Sequence, residues 1–152
     1  MSKYAMSIDL TTCVACDACV IACKTENGVP DGHARDWTEQ VLEEERSELR
    51  LTQYSNRCQH CSEAPCVAVC PTQASHIEDG IVLVDSNLCV GCRQCMSACP
   101  YGARYYHPGG YVDKCTFCAH RLESGRGTAC EEVCPTHSLV FGDVADSNGE
   151  LS

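Results

Sequence analysis

Residues 89–100 read Cys89-Val-Gly-Cys92-Arg-Gln-Cys95-Met-Ser-Ala-Cys99-Pro100. Three cysteines at this spacing on one tight turn can reach three corners of an iron–sulfur cubane. The fourth, set just before a proline, serves a different cluster. One such run therefore requires another. Three more are present: Cys13-x2-Cys16-x2-Cys19-x3-Cys23, Cys58-x2-Cys61-x4-Cys66-x3-Cys70-Pro71 and Cys115-x2-Cys118-x11-Cys130-x3-Cys134-Pro135. Together they use all 16 cysteines of the 152-residue chain. Each run ends in C-x3-C, so the chain is an internal repeat and is best read as one.

The crossing rule assigns the inner runs to two clusters. Cys58, Cys61 and Cys66 pair with Cys99, and Cys70 pairs with Cys89, Cys92 and Cys95. Nesting the first and last runs around these gives the outer two: Cys13, Cys16, Cys19 with Cys134, and Cys23 with Cys115, Cys118, Cys130. Thiolates alone then ligate iron in four 4Fe-4S clusters, and no corner is left for the six histidines. His33, His76, His107 and His137 read as structural or surface residues. His60 and His120 lie in or beside ligand loops, where hydrogen bonds to ligands tune potential. Arg93 and Lys114 are cations next to ligands and would favour the reduced, more negative clusters.

Zinc is the competing reading of paired C-x2-C units, but zinc ribbons use separated pairs rather than C-x2-C-x2-C triplets. A disulfide scaffold fits tight triplets worse still. Free thiolates in this number suit assembly in a reducing compartment such as the cytoplasm. The formal charge of -10 argues against nucleic acid, which needs a basic footprint. The longest aliphatic run, Ile81 to Val84, is far below the roughly 18 apolar residues of a membrane span. No Gly-rich phosphate loop, nucleophile elbow or paired carboxylates appear, so the chain reads as non-catalytic. A core this rich in cysteine draws its stability from inorganic centres, since metal binding acts as folding free energy.

Between the runs the signals are short. Residues 3–9 alternate as a strand, and a short helical turn is expected near Ala18. Residues 24–57 carry no cysteine and read as an insertion: a turn at 27–32, then a hairpin closing around 45–48, with the acidic Glu43-Glu44-Glu45 as a solvated face. Asp79-Gly80 between apolar runs is a strong hairpin signal. Residues 103–107 and 139–141 read as strands, and Tyr101, Tyr105, Tyr106 and Tyr111 as hairpin packing. The loop holding Arg121, Gly125, Arg126 and Gly127 reads as polar surface, and residues from Asp143 onward as a frayed end. The expected class is α+β: two ferredoxin-like dicluster modules of short strands, hairpins and short helices around four clusters. The outer module takes 1–23 and 100–152, the inner module 55–99, and 24–54 is an inserted hairpin segment.

The Cys13-Val-Ala-Cys16-Asp-Ala-Cys19 run, the Cys58 and Cys89 runs, and Lys114-Cys-Thr-Phe-Cys-Ala-His-Arg-Leu122 together resemble the four-cluster electron-transfer subunits of the dimethyl sulfoxide reductase and polysulfide reductase superfamily. The resemblance runs from Tyr4 to about Asp146. It implies a wire between a molybdopterin (molybdenum or tungsten) catalytic subunit and a membrane anchor that reacts with quinone. It puts the Cys13 cluster nearest the catalytic subunit and the Cys92 cluster nearest the membrane. The chain would be peripheral to the membrane through these partners, on the cytoplasmic side or, by co-export, the periplasmic side. The same wire could serve a hydrogenase or formate dehydrogenase, or act as a free-standing polyferredoxin. Many relatives continue past the position of Ser152, so docking through a tail is not expected.

Overall fold

The computed structural model describes residues 3–45, 48–147, 149 and 151. Four two-stranded antiparallel sheets and five helices alternate with ligand loops among these residues. The fold is a small mixed α/β one in which no sheet is large enough to make a core alone.

β1 (Tyr4–Ile8) pairs with β8 (Leu139–Asp143), joining the two ends of the chain from Tyr4↔Asp143 to Ile8↔Leu139. β8 runs two residues beyond the expected strand. Val144 N–H then donates to Lys3 O, so the pairing continues through Asp143 where fraying was expected. α1 (Ala18–Asn27) is a full helix rather than a single turn, because Gly28 in a left-handed conformation caps it and its N–H returns to Lys24 O.

The inserted segment is a hairpin of β2 (Asp36–Glu45) and β3 (Glu48–Arg57) in register Glu45↔Glu48. Its turn, at 46 and 47, lies outside the described residues. Its base is buried and its outer half exposed, with Leu42 and Leu49 facing solvent. α2 (Pro65–Ala68) starts on a proline, whose fixed φ suits a first helical turn. β4 (Ser75–Glu78) and β5 (Ile81–Val84) close through Asp79 and Gly80, at φ 46° and 79°. This is the Asp-Gly turn expected, since both positions need positive φ.

α3 (Gln94–Ala98) carries Cys95. Of the strand expected at 103–107 only β6 (Tyr105–Tyr106) forms, pairing with β7 (Val112–Asp113). Ala103 and Arg104 turn inward instead and are buried. α4 (Ala119–Leu122) and α5 (Ala129–Glu132) frame the last ligand run.

The loop between them differs from expectation. Arg121 is buried, with Nη1 2.7 Å from Glu26, Nη2 on Glu132 and Nε donating to Gly127 O. A guanidinium can be buried when carboxylates and a carbonyl take its donors, and Glu26 comes from α1, remote in sequence. The tyrosines divide. Tyr105 stacks on His33 and donates to Asp113, Tyr106 lies under the Arg93 guanidinium at 3.9 Å, and Tyr101 is exposed.

Candidate iron–sulfur sites

Local backbone geometry repeats at every ligand run. The residue before the second cysteine has positive φ in all four: Ala15, His60, Gly91 and Phe117. Turns of this kind gather backbone N–H groups on one side while the flanking cysteines converge. Gly91 has a further reason: a Cβ there would meet Gly110 O at 2.6 Å. Two runs end in Cys-Pro-Thr, and in both the threonine hydroxyl returns to the sulfur, Thr72 to Cys70 at 3.8 Å and Thr136 to Cys134 at 3.7 Å.

Three of the expected fours each line a single cavity: Cys70, Cys89, Cys92 and Cys95 one, Cys58, Cys61, Cys66 and Cys99 a second, and Cys13, Cys16, Cys19 and Cys134 a third. Cys23, Cys115, Cys118 and Cys130 are all buried and feel one another's charge around Cys23. Asn27 Nδ2 lies 3.7 Å from Cys23 Sγ and 3.9 Å from Cys118 Sγ.

Three apolar groups link these fours in series. Cys19, Cys130, Cys134 and Leu139 share one, which joins the Cys13 set to the Cys23 set. Cys58 and Cys115 share a second with Ile81, Ala103 and Phe117, joining the Cys23 set to the Cys58 set. Cys66 and Cys95 share the third with Val82 and Val112, joining the Cys58 set to the Cys70 set.

The donor sets suit iron–sulfur clusters chemically. Burial pushes the thiols of Cys19, Cys23, Cys95 and Cys130 up, and that of Cys115 up to about 12. Such sulfurs ionise when a metal compensates the charge. Two sulfurs go the other way. Burial raises Cys70 and Cys134, but hydrogen bonds from Ser75 and Thr72 bring the first below its ordinary value. Ser138 and Thr136 bring the second down to about 7.

Buried polar atoms without partners among the described residues are Arg57 Nε, Arg104 Nη1 and His60 Nε2, which can donate, and both oxygens of Asp36, which accept. A buried donor without an acceptor is costly, and the sulfides of a cluster are acceptors. His60 is otherwise fixed: its Nδ1 accepts from Val82 N–H at 3.1 Å, and its ring stacks on Phe117 at 3.8 Å. Burial, then the charges of Lys114 and Arg104, push its pKa down to about 2, so the ring is neutral. His120 is further out, paired with Glu26.

Lys114 is fully buried, its ammonium donating to Val82 O and to Cys115 O at 2.6 Å. It thereby ties the β4–β5 hairpin to the last ligand run. Among the described residues, the two cations that reach cysteine sulfur directly were not singled out from the sequence. Arg57 Nη1 donates to Cys130 Sγ at 2.9 Å, and Arg104 Nη2 to Cys66 Sγ at 2.9 Å. A signal existed for the first: Arg57-Cys58 and Lys114-Cys115 are the same basic residue type before the same C-x2-C unit.

Comparison with known proteins agrees with this chemistry. Residues 49–144 match the family described as 4Fe-4S dicluster domain, and residues 10–26 a 4Fe-4S binding domain. The chain is 44% identical to a tetrathionate reductase subunit from Salmonella typhimurium, over 99% of this chain and 62% of that relative. It is 45% identical to the thiosulfate reductase electron transfer subunit PhsB of Salmonella typhi, over 96% of this chain and 79% of the relative. It is 44% identical to a polysulfide reductase chain from Wolinella succinogenes, over 99% of this chain and 81% of the relative.

Proposed function

Because the chain belongs to the 4Fe-4S dicluster family of iron–sulfur electron-transfer subunits of reductase complexes, and is not the catalytic chain of one, we propose that it carries four 4Fe-4S clusters in series between a molybdopterin catalytic subunit and a quinone-reactive membrane anchor. The observation that carries this reading is the serial linkage of four cysteine sets by three shared apolar groups. The sets are Cys13, Cys16, Cys19, Cys134; Cys23, Cys115, Cys118, Cys130; Cys58, Cys61, Cys66, Cys99; and Cys70, Cys89, Cys92, Cys95.

Bound clusters supply one-electron chemistry without bond-making to substrate. The chain's own residues hold the sulfurs, exclude water from them and donate hydrogen bonds that set potential. Residues 1–23 with 100–152 form the outer dicluster module, 55–99 the inner one, and 24–54 the inserted hairpin. Exposed Cys92 and Cys16 mark the two ends of the series, where partners would take and give electrons. No helix among the described residues is long and apolar enough to cross a membrane; the reading gives membrane attachment to a partner.

The test is elemental analysis of the natively purified, untagged assembly. The reading predicts about sixteen irons per copy of this chain beyond any held by partners, together with molybdenum or tungsten. Nickel instead would make the partner a hydrogenase. Iron on an unaccompanied chain would make it a free polyferredoxin, and zinc without iron would overturn the cluster reading.

A further inference from the structure

Arg57 and Arg104 occupy matching places in the two halves of the molecule. Arg57 is 3% exposed and Arg104 6%. Arg57 Nη1 donates to Cys130 Sγ, and its Nη2 donates to Ser55 Oγ, which lies 3.4 Å from Cys19 Sγ. One guanidinium thus reaches both sets of the outer pair. Arg104 Nη2 donates to Cys66 Sγ and, at 2.8 Å, to Ser75 Oγ, while Ser75 N–H donates to Cys70 Sγ at 3.3 Å. It reaches both sets of the inner pair as well, here through Ser75, whose hydroxyl meets the guanidinium and whose backbone N–H meets the second cysteine set.

The remaining contact of Arg57 is Met6 Sδ at 2.8 Å, which carries no charge. Each guanidinium also keeps a buried nitrogen without a partner among the described residues, Arg57 Nε and Arg104 Nη1. Asp36, the buried cross-strand partner of Arg57, is the carboxylate whose charge Arg57 feels, and it acts on the same sulfurs in the opposite sense. It is not in ion-pair contact, and at Cys130, which Arg57 touches, the arginine's charge outweighs it. An arginine does not lose that charge at any accessible pH.

We propose that Arg57 and Arg104 are redox-tuning residues, one for each cluster pair, each raising the potential of both clusters of its pair. The inference rests on the cluster assignment above. A cation in the low-dielectric interior favours the state carrying one more electron. Within reach of two clusters, it lowers the energy of an added electron on either, more at the one whose sulfur it touches. In the hop, one cluster loses an electron and its neighbour gains it; no bond forms or breaks, and the guanidinium keeps its protons throughout.

The experiment is a potentiometric titration followed by electron paramagnetic resonance on the natively purified assembly, with signals assigned by cysteine-to-serine variants. Arg57→Gln should lower the reduction equilibrium of both outer clusters at least tenfold, which is about 59 mV for one electron, and leave the inner clusters within threefold. Arg104→Gln should do the reverse. Arg57→Lys and Arg104→Lys, which keep the charge, should recover most of each shift.

Equal shifts in both pairs, or no shift with all iron retained, would overturn the proposal. Should a glutamine variant lose iron, Ser55→Ala decides, because the Ser55 hydroxyl is the link from Arg57 to Cys19. A smaller shift confined to the same pair supports the proposal and an unmoved pair overturns it. A wild-type assembly lacking four cluster signals would instead remove the cluster assignment itself.

Discussion

In the proposed two-module arrangement, the β4–β5 hairpin and the β1–β8 sheet do the same work, each backing a pair of cysteine sets with a two-stranded ribbon. They close at very different range. β4 and β5 meet across Asp79 and Gly80, whereas β1 and β8 are the two ends of the described chain. Loop-closure entropy grows by about 0.6 kcal/mol for each doubling of loop length, so the outer closure is costlier by about 4 kcal/mol. The outer half is also tied by long-range polar contacts. Arg121 spans Glu26 and Glu132, and the Arg35 fork meets both Asp113 oxygens at 2.9 Å. Local turn chemistry can build the inner pair; the outer pair needs the rest of the chain in place.

Breaking each ribbon from within should have the largest effect. Leu139 is 3% exposed and packs against Cys19, Cys130 and Cys134; Val82 is 1% exposed and packs against Cys66 and Cys95. An unpaired carboxylate at either place costs several kcal/mol. Leu139→Asp should therefore lose the outer pair, about half of the iron, and keep the inner signals. Val82→Asp should lose the inner pair. Loss of all four clusters from Leu139→Asp would mean that the inner half cannot stand without the outer one.

A finer contrast lies at Gly91 and Ala15, equivalent positions in two ligand runs. The outer run tolerates a Cβ at φ 49°; the inner run has no room beside Gly110 O. Gly91→Ala should destabilise the Cys89 loop by about 1–3 kcal/mol and broaden the resonance of its cluster. Ala15→Gly should change stability by less than about 1 kcal/mol and leave the spectrum alone. Equal effects would show that the loops differ less than their packing suggests.

Acid should weaken the outer half through Glu26. Hydrogen bonds from His120 and then Arg121 hold its carboxyl below the usual range. A depressed folded pKa gives stability that is present above the unfolded value and lost as pH falls through the folded one. Thermal midpoints should therefore fall less steeply below about pH 4.5 in Glu26→Gln than in the wild type; parallel curves would remove Glu26 from the account. The smallest effect belongs to the hairpin tip: Leu42→Ser and Leu49→Ser, both at exposed sites, should alter stability by no more than about 0.5 kcal/mol and leave iron content unchanged.

The proposed ligand sets are legible in the cysteine spacing because cluster ligation is local: three ligands come from one turn, and the fourth follows a fixed offset. The Asp79-Gly80 turn was legible for the same reason. The burial of Arg121 was not, since the carboxylate that makes it tolerable comes from α1. Arg57 and Arg104 were missed because the sulfurs they reach, on Cys130 and Cys66, are remote from them in sequence. The length of α1 was hidden by the end of the cysteine run at Cys23, although Gly28 was the stop signal.

The most direct test of the account is the assignment of Cys99. Cys89→Ser, Cys58→Ser and Cys99→Ser would each be compared by electron paramagnetic resonance in the purified assembly. The account predicts that Cys99→Ser perturbs the same cluster as Cys58→Ser, whose sulfur lines the same cavity, and leaves the Cys89 cluster untouched. If Cys99→Ser instead altered the signal that Cys89→Ser alters, the crossing between runs, and with it the serial order of the four sets, would be wrong.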